Sequence, residues 1–556
     1  MRRVSTSIRF VIPIAAVGLV LSGCGSDSGG ASGSGELGTT NDINPHPVSD
    51  LKDGGNLRLP LTSFPESFNY LQVDGTTGDT ASVVGPLLGS PFVSNAANEL
   101  SVDKNYFTDV QLTSTNPQVV TYTINPKAVW TDGSPITWED LRSEFQAQNG
   151  SDNRYLVSST DGYDRIGSVE RGVDDRQAVV TYKQPYGEWK GMFSPLYPKA
   201  ATESPEALNN WARTTLPVSA GPFVITNLDR TQNRITLGRN PKWWGETPKL
   251  DTITLSVLDA QAMLPAVQNN ELDVAAAPGL EGVTTARNSP GVEVRRSPAP
   301  GYSFIAFNGA PGSILADVKL RQALAKAVDR QTIVETFLHG VVDNPKALGN
   351  HVYVSGQVGY QDNSAPYAFN LDQAAKELDA LGWVRRGDVR EKDGKQLVVR
   401  DVMYQQDAWV NDAKIIQADF QKIGVKLDIQ TVPGQGLFTN VIDPGNYDLA
   451  QWSIGGTSFP LGILKQLFYY NPSNWLGNKS RIGSPELNAV IDQAVAELDP
   501  AKAIELANQA DRMIWDEVWS LPFNQPAGTL AVRKDLANYG AFGMADKDYT
   551  KIGFLK

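Results

Sequence analysis

"QLVVRDVMY" at 396–404, "DAKIIQADFQKIG" at 412–424 and "VKLDIQTV" at 425–432 decide the fold class. The outer two have strand composition, and the last alternates apolar with polar side chains, as a strand with one buried face does. The middle stretch reads as a helix. Strand, helix and strand in succession imply a right-handed crossover and parallel pairing. The chain is therefore α/β with mixed sheets. Further helices flank this unit. From Asp317, "DVKLRQALAKAVDRQTIVETFLHG" places Leu320, Leu324 and Val328 four residues apart, with Gly340 as a stop. In "NLDQAAKELDALGW" (370–383) Asn370 caps, Gln373 has capping-box spacing, and Gly382 suits the position after the helix. Ser484-Pro485 and Asp499-Pro500 each pair a cap with proline at the first helical position.

The N-terminal half is more punctuated. "GGNLRLPL" (54–61) starts as a strand and breaks at Pro60, and "VVTYTI" (119–124) is a strand ending at Asn125-Pro126. In "WTDGSPITWEDLRSEF" (130–145) a turn at Asp132-Gly133-Ser134-Pro135 precedes a helix capped by Thr137, with Asp140 three residues on. "RITLGRNPKWWGETPKLDTITLSVL" (234–258) reads as two strands around a connection broken by Pro and Gly, where Trp243-Trp244 belong to packing. No internal repeat is visible.

Composition narrows the function. The 556 residues carry a formal net charge of −12, with 41% hydrophobic residues, 50 Gly and 34 Pro. That supports two or three packed domains rich in turns. An acidic chain lacks the basic face that nucleic acid requires. Cys24 is the only cysteine, so neither a disulfide nor a thiolate metal cluster can form within the chain. It follows Arg2, Arg3, Arg9, an apolar run from Phe10 to Leu21, and Leu21-Ser22-Gly23-Cys24. A basic segment, a short apolar core and small residues before a cysteine form a secretory signal with a lipobox. Residues 1–23 are then a signal peptide, and Cys24 carries a lipid that holds the body to the outer face of the bacterial cytoplasmic membrane. Residues 24–53, opening with "CGSDSGGASGSGE", form a flexible tether of about 30 Å.

Marks of catalysis are few. Three histidines (His46, His339, His351) form no metal-ligand spacing, and no GxSxG elbow is present. "GQGLFT" (434–439) lacks the third glycine of a dinucleotide fingerprint, and "GNKS" (477–480) is no phosphate loop. The expectation is no enzyme, no cofactor and no metal.

Five stretches in order resemble the family 5 (cluster C) extracellular solute-binding proteins of ABC importers. They are "YTINPKAVWTDGSPITWEDLRSEF", "SAGPFVITNLDRTQNRITLGRNPKWWGETPKLDTITLSVL", "VQNNELDVA" (267–275), "DVKLRQALAKAVDR", and "LDALGW" with "IGVKL". The likeness covers about 54–540 and is nearest to actinobacterial lipoproteins of that group. It implies a two-lobed, periplasmic-binding-protein-like fold with a hinge and an inserted domain. Lobe I would combine 54–88, 211–312 and 521–556, inserted domain II would be 89–210, and lobe III 313–520. The implied function is a monomeric receptor. It captures an oligopeptide between the lobes and passes it to ABC permease subunits driven by a separate ATPase.

Carried over residue by residue, the resemblance places the cleft in three stretches. "APGYSF" (299–304) resembles the strand whose backbone pairs with peptide, giving Gly301, Tyr302 and Ser303. "LQVDGTT" (71–77) resembles an acid-bearing cleft loop, giving Asp74, Gly75 and Thr76. "YDLAQWSIGGTSFP" (447–460) gives Trp452, Ser453, Ile454, Gly455 and Thr457. Here the family tryptophan position holds Ile454, and the acid that would meet a peptide ammonium is replaced by Thr457. Trp452 and Tyr302 each fit a cleft wall or a core equally well. Without the acid, Asp74 could supply the charge from the opposite wall; otherwise longer, blocked or uncharged ligands such as sugars are favoured. A relative that has left transport to regulate cell-envelope glycolipid assembly, and an extracellular hydrolase, stay open as other readings.

Overall fold

The crossover at 396–432 forms one edge of a five-stranded sheet. In the computed structural model, which describes residues 41–434, 436–475 and 477–556, Val398–Tyr404 pairs in parallel with Lys426–Val432 over the whole strand. The connecting helix, Asp407–Lys422, packs back on the sheet with Ile416 and Phe420 fully buried. On its other side Val398–Tyr404 meets Leu449–Gly455, but only at Asp401↔Leu449 and Val402↔Ala450. Leu449–Gly455 then pairs antiparallel with Gly301–Phe307, which pairs with Ser520–Pro522. All seven residues of Gly301–Phe307 are buried, the pattern of a central strand covered on both faces.

Two smaller sheets make the opposite lobe. Asn56–Leu61 runs parallel to Thr252–Val257, followed by antiparallel Arg234–Arg239 and Phe223–Asp229. Val274–Ala276, Thr529–Arg533 and Val292–Arg296 form an antiparallel three-stranded sheet. The Arg58–Asp273 ion pair at 2.5 Å ties the two together. A separate antiparallel sheet comprises Phe107–Thr115, Gln118–Ile124, Gln177–Tyr182 and Ile166–Arg171, packed on helix Trp138–Gln148. That helix begins with the expected capping box of Thr137 and Asp140.

The sheets divide the chain at places other than those expected near 312 and 521. Gly301–Phe307 and Ser520–Pro522 lie in the five-stranded sheet, whereas Val292–Arg296 and Thr529–Arg533 lie in the three-stranded one. The crossings are therefore residues 297–300 and 523–528. They are bonded together: Ala299 N donates to Pro526 O at 3.0 Å, and Gln525 Nε2 donates to Ala299 O at 3.0 Å.

Other local expectations meet the structure residue by residue. Asn370 accepts from Gln373 N, Gly382 has φ +83°, and Ser484 and Asp499 cap their helices through their side chains. Trp243 and Trp244 pack on Tyr106 at ring separations of 5.9 and 5.5 Å. The run from Asp317 is two helices, Val318–Ala325 and Arg330–Phe337, because Asp329 accepts from Thr332 N and restarts the helix as a new cap. The end of the expected tether is packed rather than free. Asp42 bridges to Ala541, His46 N donates to Asn538 Oδ1 at 2.8 Å, and Leu51 is buried beside Leu555. The apolar Leu51 supplies what the Gly/Ser stretch lacks. Cys24 and the signal segment lie outside the described residues.

Candidate functional site

Both crossings open onto a cleft walled by all three parts of the chain. Gly301, Tyr302, Ile454, Gly455 and Thr457 line one cavity, brought together by the antiparallel register Gly301↔Gly455 and Tyr302↔Ile454. Glycine is required at the contact. A Cβ on Gly301 (φ +108°) would lie 2.3 Å from Ile454 O, and one on Gly456 would lie 2.5 Å from Gly301 N. Sequence reasoning missed the remaining walls: Gln357 and His351 from the loop before helix Leu371–Ala380, Pro460 and Ile463 from helix Pro460–Phe468, and Met544 near the C-terminus. Ala96 and Ala97 of the inserted domain line an adjoining space. Their only signal is proximity in the fold, since they lie in four separated stretches.

Of the sequence-derived residues, Tyr302 reaches the cavity from a buried position, and those that do not line it are placed elsewhere. Tyr302 is 4% exposed and donates its hydroxyl to His351 O at 2.8 Å. Ser303 is buried, its N donating to Asn524 O and its O accepting from Phe523 N. Trp452 sits in the core, 4.8 Å from the Phe304 ring and 5.9 Å from Phe438. Ser453 is exposed on the strand edge. Asp74, Gly75 and Thr76 do not line this cavity. The Asp74 carboxylate accepts from Gln72 and from Arg213 at 2.6 Å, and these bonds hold it below the usual carboxylate range. Thr76 Oγ1 donates to Tyr70 O, and Gly75 is packed against Asn69 O.

His351 is the one side chain of the cavity lining drawn from the acidic and basic residue types. Its Nδ1 lies 2.8 Å from Asp511 Oδ1 and its Nε2 lies 3.1 Å from Ser520 O. Polar groups facing the cleft are Gln357, Thr457 and the backbone of Gly455 and Gly456. One strand edge is open as well. Among the described residues, Gln451–Gly455 pairs with Gly301–Ile305 on one side only, because Val398–Tyr404 diverges after Val402. Gly301–Phe307 is paired with Ser520–Pro522 on its other edge. Ser453–Gly455 is thus an unpaired backbone edge beside the cavity, whereas the backbone of Ser303 is already bonded to Phe523 and Asn524.

The lobes are shut in this structure, and the cavity holds about 20 Å³, room for one water. A carboxylate secures the closure. Glu188, in the inserted domain, accepts from Leu461 N at 2.8 Å and Gly462 N at 2.9 Å, the first turn of helix Pro460–Phe468. Nearby, Gly187 N donates to Val495 O at 2.8 Å, and Asn98 Nδ2 donates to Ser458 O at 3.3 Å. Burial pushes the Glu188 carboxyl up to about 8 against the pull of those two N–H groups, and Asp161 raises it further. Asp161 is itself raised by burial and accepts from Tyr186 at 3.0 Å.

Two lobes joined by two bonded crossings, with a cleft walled by both, define a hinged solute-binding protein. The chain belongs to the bacterial extracellular solute-binding proteins, family 5, whose middle region matches residues 105–475. It is 48% identical over 550 residues to the oligopeptide-binding protein OppA of Mycobacterium tuberculosis, covering 97% of this chain and 92% of that one. The fold superposes on the periplasmic EDTA-binding protein EppA with a TM-score of 0.84 at 24% identity, over 94% of this chain and 99% of the other. It also matches the oligopeptide-binding protein AppA of Bacillus subtilis, solved with a nonapeptide, at a TM-score of 0.73 and 20% identity, over 91% of this chain and all of the other. No helix among the described residues is long and apolar enough to cross a membrane.

Proposed function

We propose that this protein captures extracellular oligopeptides between its lobes and delivers them to ABC permease subunits driven by a separate ATPase. It acts as a monomer without catalysing a reaction. The lipid on Cys24 would hold it at the outer face of the cytoplasmic membrane. The observation that carries this reading is the open edge Ser453–Gly455 beside a glycine-lined cavity. Such a wall offers backbone hydrogen bonds and apolar contact, which recognise a peptide main chain whatever its side chains. The similarity to OppA supports the same ligand class. A bound peptide favours the closed form because it touches both walls at once.

The wall contains no acid for a peptide ammonium, so recognition should rest on the middle of the peptide. Isothermal titration with free and with acetylated, amidated peptides of one sequence tests this. Blocked peptides are expected to bind within about fivefold of free ones, since no charge-assisted bond is lost. Failure of every peptide to bind, or a lipid or sugar extracted from the purified protein in place of peptide, would overturn the reading. For the anchor, Cys24→Ser should release the protein from the cell surface into the medium.

A further inference from the structure

The five-stranded lobe holds a second cavity of about 410 Å³ beside the crossing at 523–528. Arg330 and Gln525 both line it. Arg330 Nη1 donates to Leu348 O at 2.8 Å and to Pro522 O at 3.0 Å, with the guanidinium 4.9 Å over the Trp515 ring. Its Nε and Nη2 have no acceptor among the described residues, and no carboxylate forms an ion pair with it. Burial pulls the Arg330 guanidinium down to about 10, against the charge of Asp362 across the cavity, which raises it. Lys346, exposed at the rim, is likewise without a hydrogen bond or ion pair among the described residues.

Acceptors are unused on the same walls. Gln525 is 5% exposed and its Oε1 has no hydrogen-bond partner, although its Nε2 is held by Ala299 O. Asp362 gives Oδ1 to Ser364 N and Oγ at 2.9 and 2.6 Å, and its Oδ2 accepts from none of the described residues. The second acid of the lining, Asp329, is already bonded through both oxygens to Thr332. A buried polar atom without a partner costs free energy. This cavity has one in Gln525 Oε1, and the unused donors of Arg330 and Lys346 line the same space as the Asp362 carboxylate. A simple anion would meet Asp362, and a simple amine would meet Arg330 and Lys346.

We propose that this cavity is a second ligand site, separate from the cleft, for a zwitterionic solute of α-amino-acid class. The carboxylate would be bound by Arg330 and Lys346, and the ammonium by Asp362 and Gln525. Guanidinium and carboxylate geometry suit each other at Arg330.

Calorimetric titration of the full chain with glycine, L-alanine, acetate and methylamine tests this, and it does not depend on the cleft binding peptide. Glycine and L-alanine are expected to bind with one site, and acetate and methylamine roughly tenfold more weakly or worse, since each lacks one charge-assisted contact. The double variant Lys346→Ala, Asp362→Asn alters only exposed rim side chains. It should weaken amino-acid binding by a further tenfold or more with an unchanged melting midpoint. Thr457→Trp, which fills the interlobe cleft, should leave amino-acid binding intact. The proposal is overturned by no amino-acid binding at millimolar concentration, by acetate binding equally well, by an unaffected double variant, or by loss of binding in Thr457→Trp.

Discussion

Glu188→Gln should remove a pH dependence of lobe closure. In the closed form the carboxyl is buried against the start of helix Pro460–Phe468 and raised from its ordinary 4.5 to about 8. In an open form it would face water and return to the ordinary value. A raised carboxyl means that the closed state binds the extra proton. Its contribution to closure is complete below 4.5 and is lost as pH rises through about 8. At 1.36 kcal/mol per pH unit, the full span is about 5 kcal/mol. Of this, roughly 1 is lost by pH 5 and roughly 3 by pH 7. The closed-to-open ratio should therefore fall by more than tenfold between pH 5 and 7. Asp161 and Tyr186 from the inserted domain and Tyr353 from the facing loop share the contact, and Asp161 titrates in the same direction.

Small-angle scattering of ligand-free protein from pH 5 to 9 measures the balance through the radius of gyration. The wild type should expand as pH rises. Glu188→Gln keeps a side-chain acceptor for one of the two N–H groups and has no charge to bury, so its profile should be nearly flat. Glu188→Ala leaves both N–H groups without a partner and should open at every pH. A wild-type radius independent of pH, or an unchanged slope in Glu188→Gln, would refute the reasoning.

Trp452→Ala should cost about 3–5 kcal/mol in urea unfolding, the range for a buried aromatic; loss of ligand affinity at unchanged stability would instead place Trp452 in the cleft wall. Asp74→Asn should change peptide affinity less than twofold by titration calorimetry, because Asp74 is already bonded to Arg213 and Gln72. Asp511 Oδ1 accepts from His351 N as well as facing Nδ1, and Oδ2 accepts from Asn363 at 2.6 Å. Asp511→Ala leaves these buried groups unpaired and should destabilise folding by about 3–5 kcal/mol in urea unfolding.

What the sequence shows well is local. Capping residues, glycine stops and the strand–helix–strand unit act within a few residues, so the elements at 137–148, 370–383 and 396–432 can be read without the fold. The cleft depends on register across hundreds of residues. Nothing near Glu188 marks it as the partner of Leu461 and Gly462, and Gln357 carries no motif that points to Thr457. One signal was present and distinguishes two roles. "GYSFIAF" is apolar or small throughout and so belongs in the middle of a sheet, whereas "LAQWSIG" turns polar and glycine-rich toward its end, where the open edge lies.

That contrast bears on the missing acid at Thr457. Two carboxyl groups of the inserted domain face helix Pro460–Phe468: Glu188 through Leu461 N and Gly462 N, and Asp161 through its packing against Gly462. A Cβ at Gly462 would lie 2.0 Å from Asp161 Oδ2, so glycine there is a condition of the approach. The carboxyl groups at this end of the cleft are therefore used to join lobe to lobe, as hydrogen-bond acceptors at the start of a helix. On the function proposed above, closure would then need little help from a charged ligand end, and selection among ligands would fall to the backbone of Ser453–Gly455. Gly462→Ala separates the two contributions: it should weaken closure by displacing Asp161 while leaving the strand edge, and hence the preference among peptides, unchanged.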